Sequence, residues 1–246
     1  MKSIKNTLIM KDQSIQLRMH PLRKISLTAG ILYLITFISI PTLSLYIAIH
    51  RPDYVTGNGP DSAAIIGGIL EIIVALAGMG SAIALYPVLK KQNDGLALGL
   101  VASRILEAST MFVGVAFILT VVTMRQEGSG ASALATSHAL IILYDRIFLL
   151  GQSFMPAIND MLLGYLLYQS KLVPRGLSII GIIGGPVLLI GQYAVQFNLI
   201  GQHAPITGLF AIPVALFEFS LGIYLTIKGF RFDSFKKANE RKNFAF

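Results

Sequence analysis

Long apolar runs separated by short polar segments dominate the chain, and this pattern predicts membrane-spanning helices. Each run is roughly 23–30 residues long, against the ~20 residues that an α-helix needs to cross a bilayer. The sequence therefore predicts an all-α integral membrane protein, a bundle of six transmembrane helices. The predicted spans are Ile25–Ile49, Ser62–Tyr86, Gly95–Met124, His138–Tyr168, Leu177–Leu199 and Pro205–Ile227.

Local signals indicate where these helices start and bend. Proline lacks a backbone N–H and clashes with the preceding turn, so we expect a kink at Pro41 in the first span. The fourth span is longer than the ~30 Å hydrocarbon layer, so it must tilt, bend at Pro156 or begin outside the bilayer. Capping side chains are expected at the starts of the second, third and fourth spans: Asp61, Asn93 or Asp94, and Ser137.

Composition also indicates a membrane protein and limits the binding partners expected for its basic residues. Of the 246 residues, 54% are hydrophobic and 13% are charged, and the mean hydropathy is +0.69. There is no cysteine, which excludes a disulfide framework and a thiolate metal site. The net charge of +8 is carried at the ends of the apolar runs. We therefore expect anionic lipid headgroups, and no nucleic acid, as the partner of the basic residues.

Basic residues also predict the orientation. Residues 1–24 and 231–246 form basic tails around a membrane domain at 25–230. Sixteen Lys and Arg residues lie on the side of the tails, and two, Arg51 and Arg125, lie on the opposite side. The positive-inside rule then places both termini in the cytosol and the domain in a plasma membrane as a multi-pass protein.

Charged side chains inside the predicted spans are the candidate chemistry. On insertion scales each central charge costs about 2.5–3.5 kcal/mol, so such groups should face the bundle interior, a water-filled cavity or one another. Two arginines cannot neutralise five acids. The seven residues are Glu71, Arg104, Glu107, Asp145, Arg146, Asp160 and Glu218.

Spacing groups these charges into a site and a path. Arg104 precedes Glu107 by three residues, one helical turn, and we expect both to form a central charged site with Glu71. On the fourth span, polar residues recur every seven positions in two adjacent rows, which an uninterrupted helix would align along one side. The predicted polar path comprises Asp145, Arg146, Gln152, Asn159, Asp160 and Glu218.

Three functions fit this arrangement. The first is a small transporter-like or ligand-binding bundle that takes an unknown small solute. The second is a non-catalytic membrane partner, such as an assembly or stress-related subunit, whose charges only fix helix packing. The third is an intramembrane enzyme with an acid pair. We assign no catalytic residue and expect no cofactor, and the sequence leaves a homo-oligomer open. A water-accessible cavity at Glu71 and Glu107 would favour binding or catalysis over packing.

Histidines are the remaining candidates for chemistry. His50, His138 and His203 all fall near the same predicted boundary of the membrane. No two of them have a spacing diagnostic of a metal site, and the His-Glu-x-x-His motif is missing. The sequence therefore predicts solvated interface histidines and no metal site.

An ordered set of short motifs lies between Leu27 and Phe230. The motifs are Gly30–Phe37, Leu85–Leu89, Asn93–Gly99, Arg104–Glu107, Phe148–Gly151, Leu162–Tyr168, Leu172–Arg175, Gly184–Pro186 and Phe217–Gly222. Together they resemble a family of bacterial membrane proteins, domain of unknown function 4386. The resemblance implies a multi-span protein of the bacterial inner membrane and supplies no reaction, ligand or partner.

Overall fold

A computed structural model describes residues 21–57 and 59–231, and this part of the chain is helical without strands. It contains six helical stretches that are long and apolar enough to cross a membrane, as the sequence predicts for a multi-pass membrane protein. The elements are α1 (21–36), α2 (Ser39–Leu45), α3 (Ser62–Leu89), α4 (Asp94–Gln126), a 3₁₀ turn (Gly130–Ala133), α5 (Leu134–Phe148), a π-helical turn (Leu149–Ser153), α6 (Met155–Ser170), α7 (Arg175–Gln196) and α8 (Pro205–Ile227).

The first span is two helices and not the continuous Ile25–Ile49 helix expected. The α-helical pattern stops after residue 36 and resumes at Ser39 as α2. Backbone bonds from Phe37 to Leu34 and from Ile40 to Phe37 tighten the chain between them. Pro41 is the cause, because its ring would clash with the Phe37 carbonyl in a continuous helix. The kink predicted there is confirmed as a break.

The fourth span is interrupted in the same way. Pro156 is the second residue of α6, and the π-helical turn directly precedes that helix. Proline cannot donate a backbone hydrogen bond to Gln152, four residues earlier, so the ladder widens there. Of the three alternatives predicted for this span, the structure shows an irregularity at Pro156, in the form of an interrupted helix. The inserted turn also changes the rotation of α6 relative to α5, so the two heptad rows do not stay on one side.

One of the three predicted helix caps is present. Asn93 accepts a hydrogen bond from the backbone N–H of Leu96 at 3.0 Å. The prediction for Asp61 is wrong, because its carboxylate instead accepts hydrogen bonds from other side chains, including Arg125 of α4 at 3.0 Å. The prediction for Ser137 is also wrong, because the helix has already begun at Leu134.

Both ends of the described chain lie at the same end of the bundle, which we call the tail end. Arg23 donates to the backbone carbonyl of Leu225 at 3.0 Å, and the N–H of Arg231 donates to Leu172 at 2.8 Å. Helix α1 thus already includes 21–24, which the sequence had assigned to a tail. The opposite end, the loop end, carries the connections after α2, α4 and α7.

The surface and the interior are reversed relative to a soluble domain. Large aliphatic side chains stand exposed on outward faces, among them Ile69 at 54%, Ile190 at 62% and Leu209 at 62%. Acyl chains are the solvent that matches such a surface. Charged residues, among them Arg104 and Asp160, are buried between the helices. The charged side chains thus face inward and the aliphatic ones face outward, as expected for a bundle surrounded by lipid.

Two apolar clusters enclose a polar layer. At the tail end Leu85, Leu163 and Leu221 pack together, and at the loop end Tyr46 and Ile118 belong to a second cluster. Helix α3 packs on α4, α6 on α7 and α7 on α8, and α4 also contacts α5 and α6. The buried charges occur along the helices between these clusters, where the site is built.

Candidate functional site

One buried guanidinium joins carboxylates from two helices. Arg104 and Glu107 are one turn apart on α4, and Arg104 Nη1 donates to Glu107 Oε2 at 3.0 Å, as the spacing predicts. Its other terminal nitrogen, Nη2, donates to Oε1 of Glu218 on α8. The guanidinium also lies 5.6 Å from the ring centroid of Tyr33. Arg104 is 3% exposed, so these pairs are largely removed from bulk solvent and tie α4 to α8.

Asn159 brings α6 into this group. Its Nδ2 donates to Glu107 Oε2 at 2.6 Å, and its Oδ1 accepts from the hydroxyl of Ser103. We call Arg104, Glu107, Asn159 and Glu218 the Arg104 cluster. Donors on α4 and α6 bind both carboxylates, and because Glu218 lies on α8, the cluster fixes the relative rotation of α4, α6 and α8.

Asp160 lies next to the cluster without a donor of its own. Its side chain is completely buried. Neither carboxylate oxygen has a hydrogen-bond partner among the described residues. Arg104, Glu107 and Glu218 all act on it electrostatically. The neighbourhood thus holds three carboxyl groups and one guanidinium, an excess of negative charge that protons or a cationic ligand would offset.

Glu71 is not part of the Arg104 cluster, although the sequence grouped it with Arg104. Its Oε2 accepts from the Tyr46 hydroxyl at 2.8 Å, and its Oε1 accepts from Gln152 Nε2. It borders a separate cavity of about 140 Å³ that also touches Tyr144. Glu71 therefore lies between neutral donors. The sequence had predicted Glu71 beside Arg104, and Glu218 takes that position instead.

A larger cavity of about 350 Å³ opens onto the Arg104 cluster. Its charged lining is Arg104, Glu107 and Glu218, and its amides include Gln152, Gln192 and Gln202. Gln152 also borders the smaller cavity, where it donates to Glu71, so the two spaces are adjacent. The volume falls in the range of small-molecule sites, and the lining combines apolar walls with a few polar groups.

Both broken helices line this cavity. Phe37 and Ile40, at the α1–α2 break, form part of one wall. Gln152 and Pro156, at the π-helical turn, form part of another. Irregular backbone at membrane depth is tolerated where it borders a cavity or is covered by protein. The helix breaks therefore lie where irregular backbone is least costly. A ligand in the cavity would contact this irregular backbone.

Asp145 and Arg146 do not line the interior, although the sequence predicted both for the polar path. Asp145 lies at the loop end, where its Oδ1 is 3.0 Å from His50 Nε2 and 3.9 Å from His203 Nε2. The hydrogen bond to Asp145 is the main reason that the pKa of His50 is raised above its ordinary value. Arg146 is exposed. Of the six residues predicted to form the polar path, Gln152 and Glu218 line the large cavity, and Asn159 and Asp160 lie beside them.

Comparison with known sequences gives the family. A family model described as "Domain of unknown function (DUF4386)" matches residues 28–229. The chain belongs to the DUF4386 family. The predicted resemblance is confirmed. No curated protein and no solved structure matches the chain.

The DUF4386 match covers every residue of the Arg104 cluster and both cavities. Sequence reasoning missed several residues of this region. Tyr46, the donor to Glu71, was not among the predicted site residues. Gln192 and Gln202 were not singled out, although an amide in an apolar helix such as α7 is a usable signal for Gln192. His50 and His203 were recognised near one boundary but were not connected with Asp145.

Proposed function

We propose that this DUF4386 protein binds a small solute in the large cavity and carries it across the membrane. The observation that supports this most directly is the cavity of about 350 Å³ on the Arg104 cluster. A bundle whose buried charges only fixed packing would bury them in ion pairs without adjoining space. Two helix breaks beside a polar site at membrane depth are also typical of transporters, in which broken helices surround the substrate.

The charge of the cavity favours a cationic solute. Its lining holds two carboxylates and one guanidinium, and Asp160 adds a third acid behind them. In a low-dielectric interior this excess favours a ligand with a positive charge or several hydrogen-bond donors, such as a small amine. We propose that a proton shared between Asp160 and Glu218 occupies the site when the solute leaves. Solute and proton would then exchange in opposite directions.

Proteoliposomes test this proposal with radiolabelled methylammonium as the first probe and an internal pH dye as the second readout. We expect uptake above empty liposomes together with alkalinisation of the lumen, because the proposed exchange moves a proton out as the cation enters. Glu218→Gln should lower uptake at least about tenfold, the loss expected when one buried charge contact of the site is removed. Asp53→Asn is the matched control, because Asp53 is exposed and its ion pair among the described residues is with Arg51 at the surface.

A panel of small amines extends the test beyond methylammonium. If neither protons nor any amine moves faster through protein-containing than through empty vesicles, the transport proposal is wrong. Equal uptake by Glu218→Gln and the wild type would show that the solute does not use the charged site of the cavity. Co-purification of a stoichiometric membrane partner, with no flux, would favour the alternative of an assembly subunit.

We also propose that the tail end faces the cytosol of a bacterial plasma membrane, with both basic tails on that side. The support is the sixteen-to-two distribution of Lys and Arg between the two sides. Single-cysteine labelling checks it cleanly, because the natural chain has no cysteine. In intact cells a membrane-impermeant maleimide should label Ser132→Cys at the loop end and leave Gln92→Cys unlabelled until lysis. The reverse pattern would invert the orientation.

A further inference from the structure

Three segments that are far apart in the sequence bring a carboxylate and two imidazoles together at the loop end. His50 follows α2, Asp145 belongs to α5, and His203 lies in the connection between α7 and α8. Their ligand atoms all lie within 4.8 Å of one another. The Asp145 Oδ1 atom is 3.0 Å from His50 Nε2 and 3.9 Å from His203 Nε2. The side chain of His203 is 71% exposed, so the group is open to solvent on one side.

His50 is held in the orientation that a metal ligand needs. Its Nδ1 is 2.8 Å from the backbone carbonyl of Tyr46. A carbonyl can only accept, so Nδ1 carries a hydrogen and the neutral ring presents the lone pair of Nε2 to Asp145. Two acceptors would then face each other at 3.0 Å, so this contact holds either a proton on Nε2 or a bound cation. Fixing one imidazole nitrogen through a backbone carbonyl is the usual support for a metal-bound histidine.

We propose that His50, Asp145 and His203 form a zinc site with one coordination position open to water. Two imidazole nitrogens and one carboxylate oxygen are a donor set that Zn²⁺ favours. With metal–ligand bonds of about 2.0–2.1 Å, tetrahedral ligands lie about 3.3 Å apart, between the two distances given above. Mg²⁺ prefers six oxygen ligands and is a poor match. The site was not expected from the sequence, because no pair of its residues has a motif spacing.

The site would hold together the elements that border the cavity on this side. Gln202, which lines the large cavity, donates to the backbone carbonyl of Asp145 at 3.0 Å. Its neighbour His203 would be bound by the ion, so zinc would fix the connection between α7 and α8 against α5. This inference does not depend on transport, and the metal can bind whether or not a solute moves.

Zinc titration of the full-length protein tests the inference. The protein should carry a non-histidine affinity tag, be stripped with EDTA in detergent and be titrated against a fluorescent zinc indicator. We expect one Zn²⁺ per chain that excess Mg²⁺ does not displace. His203→Ala and Asp145→Asn should each weaken binding at least about tenfold, since even supporting residues of metal sites contribute that much. His138 is exposed and lies on α5, the helix that carries Asp145. His138→Ala should therefore bind zinc as the wild type does.

Thermal unfolding provides an independent readout. Zinc should raise the melting temperature of the wild type and of His138→Ala but not that of His203→Ala, because an ion that binds only the folded state stabilises it. Without zinc, His203→Ala should melt like the wild type, since its side chain is largely exposed. If Asp145→Asn does not fold, His203→Ala still decides the outcome. Absence of one-to-one binding, or wild-type affinity in His203→Ala, would overturn the proposal.

Discussion

Arg104→Gln is expected to lower the free energy of unfolding by about 3–5 kcal/mol, the cost of removing one partner from a buried ion pair. The substitution leaves Glu107 and Glu218 in the interior without the guanidinium that both of them bind. The effect is measured by denaturant titration in bicelles, with a fluorescent melting assay as a second readout. Arg51→Gln is the matched control, because the Arg51–Asp53 pair is exposed and such pairs contribute about 0–1 kcal/mol.

A charge rescue distinguishes the ion pairs from simple loss of packing. Combining Arg104→Gln with Glu107→Gln and Glu218→Gln removes the stranded carboxylates and leaves amides that can hydrogen-bond to one another. We expect the triple variant to recover at least half of the lost stability, because neutral groups are far less costly to bury. If Arg104→Gln destabilises no more than Arg51→Gln, the Arg104 cluster does not hold the bundle together.

Gly164→Ala is expected to destabilise the contact between α6 and α7 by about 1–3 kcal/mol, the usual cost of overpacking a close interface. A β-carbon at Gly164 would lie 2.9 Å from the backbone nitrogen of Ile182 and 2.9 Å from the backbone oxygen of Ser178. Both contacts are with backbone atoms, which cannot rotate away as a flexible side chain would. The two helices must therefore separate, and α7 would lose packing along its length.

Gly176→Ala is the control for this prediction. Gly176 is the second residue of α7, the helix that packs against Gly164, and a β-carbon there would meet nothing within 4 Å. Alanine is the better helix former, so this variant should be neutral or more stable by up to about 1 kcal/mol. Unfolding in the same bicelles compares the two variants. Equal stability for Gly164→Ala and Gly176→Ala would show that α6 and α7 adjust without cost.

The sequence located the charged site correctly at Arg104 and Glu107 but did not identify all of the residues that form it. Arg104 and Glu107 are one turn apart on a single helix, so their ion pair follows from spacing alone. Glu218 is 114 positions from Arg104, and no local pattern connects them. Glu71 and Glu218 are both acids flanked by small residues one turn away, Ala75 for Glu71 and Gly222 for Glu218. Sequence could not decide which of them would bind the guanidinium, because that depends on how α3 and α8 rotate.

The polar stripe of the fourth span shows why rotation is hard to predict. A heptad pattern assumes one continuous helix, and the π-helical turn before Pro156 breaks that assumption. Beyond the break, Asn159 and Asp160 are buried. Before it, Arg146 is exposed and Asp145 faces histidines of other segments. The proline was visible in the sequence, whereas the size of the rotation it produces was not.

The sequence by itself determined the six apolar helices, an irregularity at Pro41 and the surplus of acids over arginines within the spans. These features are local: crossing a bilayer needs about 20 apolar residues, and proline disrupts its own turn. The tertiary structure alone decided that Glu218 binds Arg104, that Glu71 binds neutral donors and that two histidines meet Asp145. Those contacts join helices distant in the chain, and the packing of small residues sets their distances and rotations, which hydropathy does not record.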